Sequence, residues 1–140
     1  ERLEQAIEIS SELSITMYRR DLRRDPLDAL RTVLHTPADI PNDIPTVIIT
    51  SWTLAYLDDV AQRRVIAAID EVGRCRDDLT WISLEHVQEV PALREMSPAI
   101  PADERASSLQ LTHWESGVRT THLLARCHPH GHWMEWFGRR

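Results

Sequence analysis

A chain of 140 residues can bury a genuine core, and 42% hydrophobic against 27% charged residues is the balance of a folded globular domain. The formal charge of −6, with sixteen basic residues that are all arginine, argues against a phosphate-gripping nucleic-acid surface and excludes lysine chemistry such as a Schiff base or a P-loop lysine within this segment. Two cysteines, Cys75 and Cys127, are too few for a disulfide framework, and no apolar run approaches the roughly 20 residues of a membrane span, so a cytoplasmic chain with free thiols and neither membrane nor nucleic-acid partner is expected.

In chain order, Leu3, Ala6, Ile7 and Leu13 share one helical face, which predicts a helix over residues 2–14 packed on an apolar partner. The period then falls to two around Ile15 and Met17, giving a short strand over 15–19 that runs out into Arg19-Arg20-Asp21. Arg19, Arg20, Arg23 and Arg24 form the basic patch of the chain, either a solvated loop or an anion site. Asp25-Pro26 is a helix start, with Leu27, Leu30, Val33 and Leu34 as the buried stripe and Thr36-Pro37 as the stop. Pro37, Pro41 and Pro45 keep the following stretch in a loop.

Thr46 to Trp52 is the clearest strand, and its continuous apolar centre predicts cover on both faces, as in a parallel sheet. A helical turn around Leu54–Leu57 follows. The next helix is capped by Asp59 with Gln62 as its capping-box partner, buries Val65, Ala68, Ile69 and Val72, and stops at Gly73. Leu79 to Leu84 is another strand, ending at Glu85-His86. Residues 87–106 are a long loop with a short helix around Val87–Arg94. Three strands then follow, over 107–115, 118–127 and 132–138, joined by turns at Glu115-Ser116-Gly117 and Pro129-His130-Gly131, so they pair antiparallel. The fold class is α/β: a partial Rossmann-like sheet of three parallel strands near 15–19, 46–52 and 79–85 with helices, then an antiparallel C-terminal extension.

This order resembles the second half of the class I methyltransferase fold, and Val47-Ile48-Ile49-Thr50-Ser51-Trp52-Thr53-Leu54-Ala55-Tyr56-Leu57 looks like its fourth-strand segment. A sharper resemblance lies in the ending Leu124-Ala125-Arg126-Cys127-His128-Pro129-His130-Gly131-His132-Trp133-Met134-Glu135-Trp136. It is similar to the ending of the bacterial domain of unknown function 2332 family, and the opening Glu1-Arg2-Leu3-Glu4-Gln5-Ala6-Ile7 resembles a segment in the middle of that family. The resemblance implies a Rossmann-like fold without an assigned activity. With a first residue that is not Met, it leads to the expectation that residues 1–140 are the C-terminal segment of a larger Rossmann-like domain. Two functions follow from it: the substrate-side half of an S-adenosylmethionine-dependent, methyltransferase-like enzyme, or a non-catalytic module that binds a small molecule or a protein.

Ligands of open α/β sheets bind beyond the carboxyl ends of the strands. Asp21, Ser51 and Trp52 are therefore the candidate cofactor contacts, and Glu85, His86 and His130 the candidate substrate pocket. Asp21 can instead simply pair with its arginine neighbours. None of the four glycines forms a Gly-rich loop after a strand, so S-adenosylmethionine is expected in the complete protein and no cofactor is expected for this segment alone. His128, His130 and His132 alternate as metal ligands can, but Pro129 and Gly131 impose a turn that breaks their alignment. No metal is expected, and His130 is expected to pin the turn by bonding to backbone groups. No Gly-x-Ser-x-Gly elbow supports a hydrolase. Trp81, Trp114, Trp133 and Trp136 read as core and edge-sheet packing.

Overall fold

A computed structural model describes residues 2–12, 17–34, 45–76, 78–86, 88–96 and 105–137. In order they form α1 (Arg2–Glu12), α2 (Pro26–Leu34), β1 (Thr46–Ser51), a 3-10 turn (Leu54–Tyr56), α3 (Asp59–Arg74), β2 (Leu79–His86), α4 (Pro91–Met96), β3 (Ser107–Glu115), β4 (Val118–Cys127) and β5 (Met134–Trp136). The strands make one open sheet in chain order, β1-β2-β3-β4-β5. Only β1 and β2 run parallel, with α3 as their crossover, and every later pair is antiparallel.

Local chemistry sets the helix starts. Asp25 Oδ1 accepts the Asp28 N–H at 2.9 Å, leaving Pro26 at the first helical position, where its missing N–H costs nothing. The cap of α3 is Asp58, whose Oδ1 accepts the Ala61 N–H at 2.8 Å, and not the expected Asp59. No capping box forms, because Gln62 turns inward. Its amide nitrogen donates to the carbonyls of Leu54, Leu57 and Glu89 at 3.3, 3.1 and 2.7 Å. The helix therefore grips the 3-10 turn and the loop after β2 at once.

The core lies between α3 and one face of the sheet. Val65, Ile66 and Ile69 meet Leu79, Trp81 and Trp114, with Leu54, Val90 and Leu93 closing the ends. Of the tryptophans, Trp81 and Trp114 are buried as expected, whereas Trp133 and Trp136 stand exposed at the β5 edge. Cys127 is buried and Cys75 exposed, both as free thiols.

Three expectations are corrected. Residues 17–20 carry no regular structure, and the rest of the expected 15–19 strand lies outside the described residues. Just after them Asp21 Oδ1 accepts the Arg23 N–H at 3.0 Å, a side-chain-to-backbone bond that competes with strand pairing. The parallel part of the sheet is thus a single pair among the described residues. Second, β1 is covered on one face only. Val47 and Ile49 are 51% and 69% exposed on the other, and β1 is an edge of the sheet. Third, α1 leaves Leu3 and Ile7, two members of its expected buried stripe, exposed. Ala6 and Leu13, also assigned to that stripe, have side chains outside the described set.

Gly73 does not stop α3 by its own conformation. The helix runs on to Arg74, and Cys75 closes it at an ordinary φ of −98°. Gly73 is required by packing: a Cβ there would lie 2.2 Å from Trp114 Cδ2. The indole is fixed against that backbone because its Nε1–H donates to Asp70 Oδ1 at 3.1 Å. Gly73→Ala should therefore destabilise the fold by about 2 kcal/mol in urea unfolding, although alanine is the better helix former by about 1 kcal/mol. The loss should shrink in a Trp114→Leu background, as a double-mutant cycle would measure.

Candidate functional site

Register brings three loops to one end of the sheet. Ser51 at the end of β1 is level with Leu84, His86 at the end of β2 faces Ser107 at the start of β3, and Ser107 faces Cys127 at the end of β4. The carboxyl ends of both parallel strands and the histidine turn after β4 therefore converge. Between them lies a cleft of about 390 Å³, lined by Trp52, Tyr56, His86, Glu89, Pro129 and His130 among others. This is where an open α/β sheet binds ligands.

Trp52 is the strained element. Its φ is +53°, left-handed backbone that a bulky side chain adopts only when its surroundings dictate it. Its N–H still donates to the Leu84 carbonyl at 3.0 Å, so the ladder holds the residue while the chain reverses into the 3-10 turn. The indole then lies against the His86 imidazole, with ring centroids 5.6 Å apart and planes tilted by 43°. His86 Nδ1 is buried with no hydrogen-bond partner.

The turn itself is capped across the sheet. Thr53 makes no side-chain cap bond. Instead Glu85 Oε1 accepts the N–H groups of Thr53 and Leu54 at 3.1 and 3.2 Å, and Oε2 accepts that of Ala55 at 3.4 Å. The Thr50 hydroxyl adds a fourth bond to this carboxylate and accepts the Trp81 indole N–H at 3.1 Å. Glu85 is 1% exposed. Burial pushes its carboxyl up from the ordinary 4.5, while the amides of Leu54, Thr53 and Ala55 and the Thr50 hydroxyl pull it back.

Of the six expected site residues, the structure brings Trp52, His86 and His130 together in the cleft. Glu85 lies beneath it as the cap of the turn, on the opposite sheet face from its neighbour His86, because side chains alternate along β2. Ser51 is exposed and shares its strand face with Val47 and Ile49. Asp21 is exposed and paired with the Arg23 N–H and the Arg24 guanidinium, the latter at 3.5 Å, because the arginines crowd it. Tyr56 and Glu89 were missed, although both lie within a few residues of a strand end. Arg23 was read only as part of a basic patch, but its guanidinium donates to the Tyr56 carbonyl at 3.1 Å and ties that loop to the cleft wall.

The histidine turn is pinned by a different residue from the one expected. His128 Nδ1, not His130, accepts a backbone N–H, that of His130, at 3.1 Å. Gly131 has φ +75° at the bend, and its N–H donates to the His128 carbonyl at 2.8 Å. Burial, then the neighbouring His132 and His130, hold the His128 imidazole below its ordinary 6.5. Among the described residues no group of three or more His, Cys, Asp or Glu side chains is arranged to hold a metal ion, and no helix is long and apolar enough to cross a membrane.

Glu85→Ala should lower stability by about 3 kcal/mol in urea unfolding, because three amides lose their acceptor. The raised carboxyl also fixes a sign. The folded state binds the Glu85 proton more readily than the unfolded chain, so stability from this group is greatest below the ordinary value. It falls as pH rises through the window up to the folded value. Wild type should accordingly lose stability relative to Glu85→Gln as pH rises through that window, measured by unfolding at a series of pH values.

No curated protein and no solved structure matches the chain. The family described as an uncharacterized protein conserved in bacteria (DUF2332) matches it over residues 1–136, and the chain belongs to that family.

Proposed function

We propose that this chain supplies the binding cleft of a small-molecule-binding domain built on a Rossmann-like sheet. The observation that carries the reading is Trp52, held at φ +53° against His86 over the carboxyl ends of β1 and β2. Strain of this kind persists where presenting a side chain matters more than backbone comfort. The indole and the Tyr56 ring offer aromatic faces, and Glu89 offers a carboxylate. Such a lining suits a flat ring or a methylated cation.

S-adenosylmethionine carries both a purine and a sulfonium, and it is the specific candidate in a larger, methyltransferase-like protein. The exposed Val47 and Ile49 on edge strand β1 support the reading that residues 1–140 are one part of a wider sheet, since apolar strand faces are normally covered. The non-catalytic alternative is favoured by the cleft chemistry. The described residues lining it include no serine, threonine or cysteine, and the nearest buried carboxylate, Glu85, is committed to capping the turn.

Titration of the full-length protein with S-adenosylmethionine and with its demethylated product, followed by calorimetry, tests the reading. Micromolar binding that favours the sulfonium over the neutral thioether is expected, and Trp52→Gly should abolish it. The same variant should keep folding stability within about 1 kcal/mol, since relief of the left-handed strain offsets the lost ring contact. Absence of heat from a folded protein would sink the adenosyl reading.

A further inference from the structure

At the carboxyl end of β2 the sheet carries a lateral row of three residues: His86 opposite Ser107, and Ser107 opposite Cys127. Directly opposed residues of an antiparallel ladder project from the same face with Cβ atoms about 4.5–5.5 Å apart. Ser107 is 1% exposed, and its Oγ has no hydrogen-bond partner. His86 Nδ1, across the ladder, is also buried and without one. One atom can donate and the other can accept, yet each is orphaned, a combination that buried polar groups rarely tolerate without a reason. Cys127 does not compete for the hydroxyl, because sulfur is a weak acceptor and burial keeps this residue a neutral thiol.

The imidazole also lies against the Trp52 indole, with ring centroids 5.6 Å apart. Because its buried nitrogen is Nδ1, the part of the ring that lines the cleft carries Nε2. A serine hydroxyl is redirected by a change between staggered χ1 wells, a small movement within an opposed pair of this spacing.

We propose that Ser107 is the positioning residue of the cleft: its hydroxyl donates to His86 Nδ1, fixes the ring as the Nε2–H tautomer, and so makes His86 a hydrogen-bond donor to the ligand. The tautomer of a histidine is set by the bond its other nitrogen makes. The ligand group received there is an acceptor: a carbonyl, an ether oxygen or a heteroaromatic nitrogen. This assignment rests on the cleft being a ligand site, but its test does not need the ligand.

The experiment is nitrogen-15 NMR of the histidine rings in the labelled, ligand-free chain, under mildly alkaline conditions where imidazoles are neutral. The expected result is His86 as the Nε2–H tautomer, with an Nδ1 resonance displaced by an accepted hydrogen bond. Ser107→Ala should remove that displacement and mix the tautomers, and Ser107→Thr, which keeps the hydroxyl, should restore both. A wild-type His86 in the Nδ1–H form, or a ring spectrum unchanged in folded Ser107→Ala, overturns the proposal. The wild-type spectrum decides even if the alanine variant does not fold. The adenosyl titration fails or succeeds independently of the ring spectrum, so failure of the cleft reading and failure of the Ser107 assignment are distinguishable.

Discussion

The carboxylate of Glu85 holds the cleft end of this sheet together. A carboxyl group 1% exposed is costly, and burial duly raises its proton affinity. The cost is offset because both oxygens accept backbone amides that would otherwise be the orphaned start of the 3-10 turn. That clamp fixes where the chain goes after β1. With the ladder bond of Trp52 on one side and the carboxylate on the other, the backbone has little choice but to reverse at residue 52. Gln62 completes the frame from α3 by holding the carbonyls of Leu54 and Leu57, at the two ends of the same turn, and that of Glu89. One acid from β2 and one amide from α3 thus fix the position of the indole.

Topology does the rest with few residues. Antiparallel strands in simple chain order return the end of β4 to the end of β2, so a turn more than forty residues beyond His86 in sequence becomes its neighbour in space. The histidine-rich turn therefore forms a wall of the cleft through backbone pairing alone. Its own geometry is local, from the positive φ of Gly131 and the bond into His128 Nδ1.

The secondary elements were legible where physics is local. The unbroken apolar run of β1, the tight turn at Glu115-Ser116-Gly117 that joins β3 to β4, the Asp25-Pro26 start and the bend at Gly131 all follow from residues within a few positions of one another. The site was legible in part, because strand ends can be located from sequence, and Trp52, His86 and His130 stand at such ends. What sequence could not supply was the facing of neighbours. Glu85 and His86 are adjacent, yet one caps a turn under α3 and the other lines the cleft. Ser51 and Trp52 are adjacent, yet only the second, turned by its positive φ, reaches it. Gly73 shows the same limit: its position near a helix end suggested a stop, while its actual constraint is an indole 41 residues away in sequence. The parallel pairing of β1 with β2 and the antiparallel ending were both legible, from the helix between the first two strands and the tight turns between the last, whereas a third parallel strand near 15–19 is not found among the described residues.

The two ends of the same strands are built to different standards. At the amino end, Arg76 pairs with Asp78 at 2.6 Å and also donates to the Thr46 hydroxyl, which in turn bonds Asp78, so the starts of β1 and β2 are tied by a closed, satisfied network. The guanidinium holds the Asp78 carboxyl below its ordinary value, the signature of a favourable partner. At the carboxyl end lie a left-handed tryptophan, a buried imidazole nitrogen and a buried hydroxyl without partners, and a carboxyl raised by burial. A sheet selected for packing alone has no cause to satisfy one end and leave the other strained and under-bonded. Local rules fail together where a structure serves something besides its own stability. Strain and missing partners also occur elsewhere, at the Ser116 hairpin turn and at Gln62 Oε1 and Gln110 Oε1, but the left-handed tryptophan and the orphaned His86 and Ser107 atoms lie together beside one cleft, and that concentration is what favours the carboxyl end as the place to look for a ligand.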